Sequence, residues 1–432
     1  YHQGKTLCII ACYIKYRMNK INLYSEIGRL NAVLLHRPGS EIEAMTPTNA
    51  SEALYSDILN LDIVNEEYRY FSGALERVTK VYYVMDLLTE LLEDASTREI
   101  LVRESCKADE CDWLADELMS HDAKTLAKEL IEGVDVSTLQ SPLSNLHSKE
   151  RYALKPLYNL FFTRDASSCL YKKALINSMS FDVRKRESLI YSAIFSRLFG
   201  AELLWAQQTD AKARTEGGDV QVVRPGLLSI GNGIRTNRRG IDYLVEQMRP
   251  ENDGFSIIVQ ELPHSPESFI HLDMVFTHLS QHHCMAFEPM LKKKGIFSTM
   301  HTYIISTAGT HTEVKEYANI LDAFRSQGID FEPIINGGSD PWHQEREQWH
   351  SGSNFFAFGE NHIIGYRRNR HTIEALSKAG FEVLRAEDVA GGTVDPWAYE
   401  KAVVSFAASE LPRGGGGARC MTCPISREPV RW

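Results

Sequence analysis

Apolar positions along this 432-residue chain fall into two textures. Near the start, residues 29–37 (Arg-Leu-Asn-Ala-Val-Leu-Leu-His-Arg) form an apolar run closed by Pro38-Gly39, the pattern of a buried strand and its turn. Over residues 67–133 the period changes. Phe71, Leu75, Val78, Tyr82, Met85 and Leu88 recur at helical spacing with charges between them. Trp113, Leu114, Leu118, Leu126, Leu130 and Ile131 continue the pattern. Asp122 has the chemistry of an N-cap and Gly133 that of a C-cap. The block predicts a small helical bundle, inserted in or appended to the main domain, whose apolar stripes are core.

From about residue 150 the texture is α/β. Strands are expected at Leu157–Thr163, Leu227–Ile230, Ser256–Leu262, Thr302–Ser306 and His362–Tyr366, and helices at Thr312–Ser326 and Thr372–Gly380. Repeated strand–turn–helix units suggest several similar modules. Periodicity does not say whether their sheets form one layer or a ring.

A chain of this length can bury a large core or divide into about two or three domains. Its 43% hydrophobic and 24% charged residues are those of a globular protein. A formal net charge of −10 argues against nonspecific binding to nucleic acid or an anionic membrane. No apolar stretch has the length of a bilayer span. Leu7–Ile14 is apolar but lacks the flanks of a signal peptide, so residues 1–17 are expected to be an upstream extension. Eight cysteines spread without a tight framework suit free thiols in a reducing cytoplasm.

The chemistry gathers toward the C-terminus. Arg413 is followed by four glycines, Ala418, Arg419 and Cys420, then Met421, Thr422 and Cys423. A glycine run can take positive φ and approach a ligand closely. Thiols react as thiolates, and nearby cations favour that form. The segment thus offers a candidate nucleophile on a mobile loop. Three other segments place polar groups where a buried strand would not want them. These are residues 159–165 (Asn-Leu-Phe-Phe-Thr-Arg-Asp), residues 216–219 (Glu-Gly-Gly-Asp) and residues 271–276 (His-Leu-Asp-Met-Val-Phe). On a strand, His271 and Asp273 would share a face. Acyl transfer needs donors for an oxyanion. This set offers acceptors instead: Asp165, Glu216 and Asp273. Carboxylates match a planar guanidinium, which they bind in bidentate fashion. Thiolate attack on a guanidinium carbon, with a histidine moving protons, is the chemistry inferred. Arg184 and Arg235 could hold a substrate carboxylate, although taken alone they read as surface charge.

Taken together, the segments resemble the arginine deiminases of the guanidino-group-modifying (pentein) superfamily. The matching pieces are FTRD at 162–165, RKRE at 184–187, EGGD at 216–219, HLDMVFT at 271–277, REQWHSGSN at 346–354, YRRN at 366–369 and RCMTCPISR at 419–427. The resemblance implies a five-fold pseudosymmetric α/β propeller with a helical insertion. That divides the chain into an unmatched extension (1–17), a catalytic α/β domain (18–66 and 134–432) and an inserted helical domain (67–133). It implies hydrolysis of L-arginine to L-citrulline and ammonia with neither metal nor organic cofactor, in the cytoplasm, by a homo-oligomer. Carried over motif by motif, Cys420 is the nucleophile, His271 the general acid and base, and Asp165 and Asp273 the guanidinium clamp. Glu216 orients His271. Asn159, Phe162, Arg184 and Arg235 line the site for the α-carboxylate and α-amino end, and Asp219, counted with these substrate-binding residues, supports it from the EGGD turn. Carboxylates around His271 should raise its pKa, and the same carboxylates should raise that of Cys420 while the site is empty.

Ala166 stands where the family has proline after FTRD, which is expected to loosen that turn. The family has a gating arginine near the glycine run, a part that Arg413 or Arg419 would take. Cys420 and Cys423 as a CxxC pair could form a redox or zinc half-site, but no second pair accompanies them. His278, His282, His283 and Cys284 have metal-like residue types and are expected on a polar surface helix. Rival readings are agmatine deiminase, an amidinotransferase, a dimethylarginine hydrolase, or a non-catalytic arginine-binding protein on the same fold. Agmatine lacks a carboxylate and gives Arg184 and Arg235 no partner; a pure binder has no use for the thiol.

Overall fold

The computed structural model describes residues 18–139, 151–249 and 254–432, so the extension expected at 1–17 lies outside it. The apolar run near the start forms the strand Leu30–Leu35. It pairs antiparallel with Cys423–Arg427 and parallel with Lys80–Tyr83. The two ends of the chain therefore meet in one sheet, and Cys420 sits just ahead of its last strand.

The connection between the two parallel strands is the helix Leu61–Val78. Asn60 caps it by accepting the Ile63 N–H at 3.1 Å. Val64, Tyr68, Phe71 and Leu75, at spacings of three and four, form its buried face, and Thr79 ends it in extended backbone. Tyr82, expected on a helix, instead lies in the strand Lys80–Tyr83. Its β-branched and aromatic residues Val81, Tyr82 and Tyr83 favour a pleated surface. Helices Val84–Leu91, Ala95–Ala108, Ala115–Met119 and Ala123–Glu132 follow. Leu87, Leu88, Leu101, Leu118, Leu126 and Leu130 form their shared core. Asp122 accepts the N–H groups of Lys124 and Thr125, and Gly133 ends the last helix at φ 83°, as expected.

Four more sheets repeat the plan of the first. In each, two antiparallel strands are followed by a third that runs parallel to the second. The triples are Ser167–Leu170, Lys173–Ile176 and Glu202–Leu204; and Val220–Arg224, Leu227–Asn232 and Phe255–Glu261. They are also Phe276–His278, His283–Ala286 and Glu332–Ile335; and Phe356–Gly359, His362–Tyr366 and Ala402–Phe406. A parallel partner requires a crossover, and helices such as Lys185–Ala193, Arg238–Met248 and Arg370–Lys378 supply it.

Three expectations are corrected. Leu157–Thr163 is a turn, leading into the short helix Thr163–Ala166. Its apolar side chains fill the core while its N–H groups bond locally, Leu160 to the Leu157 carbonyl and Phe162 to that of Asn159. The segment Thr312–Ser326 is not one helix. His311–Tyr317 is a strand, mostly polar and exposed on both faces, and a helix capped by Asn319 begins only at Ile320. The histidine cluster is a hairpin: His278 ends one strand and His283 begins the next. His278 is buried among Phe276, Phe324 and Phe331, where burial lowers its pKa to about 4.

One long-range contact ties helix Leu61–Val78 to the glycine run. Buried Glu67 accepts the backbone N–H groups of Ser409, of Glu410 at 3.1 Å and of Leu411 at 3.0 Å. These lie at the head of the turn Leu411–Gly414.

Candidate active site

A cavity of about 590 Å³ opens between these elements. Asn159, Phe162, Asp165, Arg184, Arg235, His271, Arg413 and Cys420 all line it. Residues from five distant segments thus converge on one space.

The glycine run is shaped by contacts as much as by torsion. Only Gly415 of the four has positive φ, at 82°. A Cβ on Gly416 would meet the Phe162 ring at 2.4 Å, and one on Gly417 would meet the Asn354 side chain at 2.6 Å. The loop is therefore packed against Phe162 and Asn354 and delivers Cys420 buried at 2% exposure. Asn354 holds it there. Its Oδ1 accepts the N–H groups of Arg419 at 2.9 Å and Cys420 at 3.2 Å, and its Nδ2 donates to Cys420 Sγ at 3.2 Å. Asn354 ends the HSGSN stretch, which signalled the family without disclosing this contact.

His271 and Asp273 do not lie on a strand. His271 precedes a tight turn over Leu272–Met274. Its N–H groups are bound by the EGGD segment: Leu272 to Asp219 Oδ1 at 2.9 Å and Asp273 to the Gly218 carbonyl at 3.2 Å. The turn brings both side chains to the thiol. Asp273 Oδ2 lies 3.8 Å from Cys420 Sγ and accepts from Arg419 Nη1 at 2.8 Å. Asp219 and Glu216 stand behind the cavity wall, and Asp273 lies beside the thiol that opens on it. Asp219, expected among the substrate-binding residues, is spent on the turn, and burial raises its pKa to about 7.

His271 Nε2 meets Glu216 Oε2 at 2.9 Å, and its Nδ1 is 3.8 Å from Asp165 Oδ1. Arg235 Nη1 donates to the same Glu216 oxygen at 3.1 Å. Burial opposes charge on His271, but Asp165, Glu216 and Asp219 outweigh it and raise its pKa to about 9. Burial likewise opposes charge on Glu216, yet Arg235 and His271 bring its pKa down to about 2. Cys420 is pushed well up, by burial first and then by Asp273 and Asp165. The shifts of His271 and Cys420 run as the sequence led us to expect.

Arg184 is held on three sides. Nε and Nη2 bind Glu187 at 2.9 and 2.8 Å, and Nη1 binds Asp165 at 2.7 Å. Asn159 Nδ2 donates to the Ala53 carbonyl at 2.8 Å. Arg413 stands at the cavity rim, tied to Asp57 and, at 2.6 Å, to Glu410. Arg419 is buried beneath the site between Glu26 and Asp273. Ala166 is buried in a helical turn, its carbonyl accepting the Asn177 N–H at 3.0 Å. Cys423 turns away from the cavity, its Sγ donating to the Ser167 carbonyl at 3.5 Å.

The charge pattern sets a pH dependence of stability. Because the pKa of His271 is raised from 6.5 to about 9, its contribution is whole below pH 6.5 and is lost as pH rises through about 9. Thermal midpoints are expected to fall across that interval, and His271→Gln should flatten the fall. An equally steep fall in the variant would assign the effect to other groups.

Two solved structures share this fold. The N-terminal domain of ArgZ bound to substrate, described as an arginine dihydrolase from the ornithine–ammonia cycle in cyanobacteria, superposes with a TM-score of 0.53. It is 15% identical, over 93% of this chain and 99% of that one. DDAH from Pseudomonas aeruginosa, complexed with citrulline, gives 0.50 at 13% identity, over 91% and 99%. The fold is that of the pentein class. Within it, the arginine deiminase family profile matches residues 51–427. An arginine deiminase of Limosilactobacillus reuteri (strain DSM 20016) is 32% identical over 95% of this chain and 99% of its own. The chain belongs to the arginine deiminase family.

Proposed function

We propose that this chain hydrolyses L-arginine to L-citrulline and ammonia, with Cys420 as nucleophile and His271 as the proton carrier. One observation carries the reading. Asp165 Oδ1, Asp273 Oδ1 and His271 Nδ1 are buried and have no hydrogen-bond partner among the described residues. Leaving buried acceptors unpaired is costly. A flat cation with several N–H donors satisfies both carboxylate oxygens beside the thiol.

The cation also answers the charge problem. Asp165 and Asp273 disfavour a thiolate in the empty site. A guanidinium between them offsets their charge and favours the thiolate. Sγ then adds to the guanidinium carbon. Protonated His271 gives its proton to one nitrogen, which leaves as ammonia as the carbon–nitrogen bond breaks. An S-alkylthiouronium remains on Cys420. Neutral His271 next takes a proton from water and hydroxide adds to the same carbon; the carbon–sulfur bond then breaks to release thiolate, and the hydroxyl proton passes to solvent ammonia or water as citrulline forms. Glu216 keeps His271 oriented and charged between turnovers.

Arg235, whose buried Nε has no partner among the described residues, and Arg184 are assigned to the substrate's α-carboxylate, beside Asn159 and Phe162. The five like sheets are inferred to stand around a pseudo-fivefold axis. The helical insertion expected at 67–133, between catalytic parts 18–66 and 134–432, is proposed to begin only at Val84, since the helix Leu61–Val78 and the strand Lys80–Tyr83 complete the first sheet's module. The proposed setting is a reducing cytoplasm, without nucleic-acid partners. No helix among the described residues is long and apolar enough to cross a membrane.

The test is product release from L-arginine beside agmatine, which lacks the carboxylate. Equimolar citrulline and ammonia from arginine, with agmatine slower by about two orders of magnitude or more, is expected. Agmatine turned over as well as arginine would remove Arg184 and Arg235 from these roles.

A further inference from the structure

Away from the cavity, the sheet built on Val220–Arg224 is extended by Thr302–Ala308 and ends on His311–Tyr317. Among the described residues this last strand is paired on one side only, through the two-residue turn Gly309-Thr310. His311 to Glu316 are all exposed, and Val314 at the centre is 61% exposed. A long exposed edge of this kind is a template for another strand.

The direction of its free main-chain groups follows from the ladder. The His301 carbonyl accepts the Glu261 N–H at 2.9 Å. Odd-numbered residues of Thr302–Ala308 therefore face Phe255–Glu261, and even-numbered ones face the edge strand. Their partners His311, Glu313, Lys315 and Tyr317 bond inward. The N–H and C=O groups of Thr312, Val314 and Glu316 are left pointing away from the sheet.

We propose that this edge pairs antiparallel with the same edge of a second copy, about a two-fold axis at Val314. In that register Val314 meets its own counterpart, and the outward groups of Thr312 meet those of Glu316. Glu313 stands opposite the second copy's Lys315, and Lys315 opposite its Glu313. These fall in the non-hydrogen-bonded pairs, where opposing side chains come closest. Moving the axis to Glu313 or Lys315 would set like charges against each other. A lysine on an edge strand ordinarily blocks pairing. Here the two-fold supplies each lysine with a glutamate, so the strand accepts its own copy and rejects edges without that pattern. Partly exposed Ile305, cross-strand from Val314, adds apolar surface on the same face.

Sedimentation equilibrium of the full chain tests this, with Lys315→Glu and with the exchange Glu313→Lys plus Lys315→Glu. The wild type is expected to dimerise. The single change should weaken the dimer about tenfold or more, by facing glutamate with glutamate. The exchange should restore it. All three should turn over arginine alike, since none of these residues lines the cavity, and that serves as the check on folding. A monomeric wild type, a dimer that Lys315→Glu leaves unmoved, or an exchange that fails to restore pairing would each overturn the proposal.

Discussion

Asp273→Asn is expected to lower kcat/KM for L-arginine about a thousandfold while making the Cys420 thiol easier to alkylate. The two effects have opposite signs because one carboxylate does two things. It offers Oδ1 to the guanidinium, and breaking a buried charge pair from one side costs about 3–5 kcal/mol. In the empty site its Oδ2, 3.8 Å from Sγ, opposes the thiolate. Asparagine removes the opposing charge and the clamp together. The fold should hold, since Arg419 keeps Glu26 at 3.2 Å and buries the same neighbours. Iodoacetamide labelling at neutral pH, beside steady-state kinetics, reads both effects. Alkylation that stays as slow as in the wild type would mean Asp273 does not govern the thiol.

Cys420→Ala should remove turnover by at least about four orders of magnitude, whereas Cys423→Ala should change it only a few-fold. The two sulfurs are three residues apart but face different surroundings. Cys420 opens on the cavity beside Asp273 and Asn354. Cys423 begins a strand and packs under Ser167. Citrulline assay of the two purified variants decides between them. Loss of activity in Cys423→Ala with a wild-type melting curve would reverse the assignment.

The residues of the site were legible where chemistry was local. Glu216 to Asp219, the Asp165 segment and the glycine run all announced themselves as polar or flexible pieces out of keeping with a strand. Backbone geometry was less legible. His271 to Asp273 looked like alternation on a strand because a turn and a strand can both place i and i+2 together; the donors that fix the turn come from Asp219 and Gly218. The run at Leu157 is apolar because Phe161 and Phe162 are buried, not because it pairs. At Thr312 to Tyr317 nearly every residue is polar and exposed, so no alternation of polarity marked the strand. Asn354 stayed hidden for another reason: a neutral amide bonding a thiol has no charge pattern to betray it.

Glu67 bears on how the molecule opens. Its carboxylate closes over three backbone N–H groups more than 340 positions later in the chain. The helix Leu61–Val78 and the strap bearing Arg413 and the four glycines are thereby one cooperative unit. Unfastening the strap exposes a buried carboxylate and three amide groups at once, so its opening is an all-or-none event drawn from the stability of a helix and not the drift of a flexible loop.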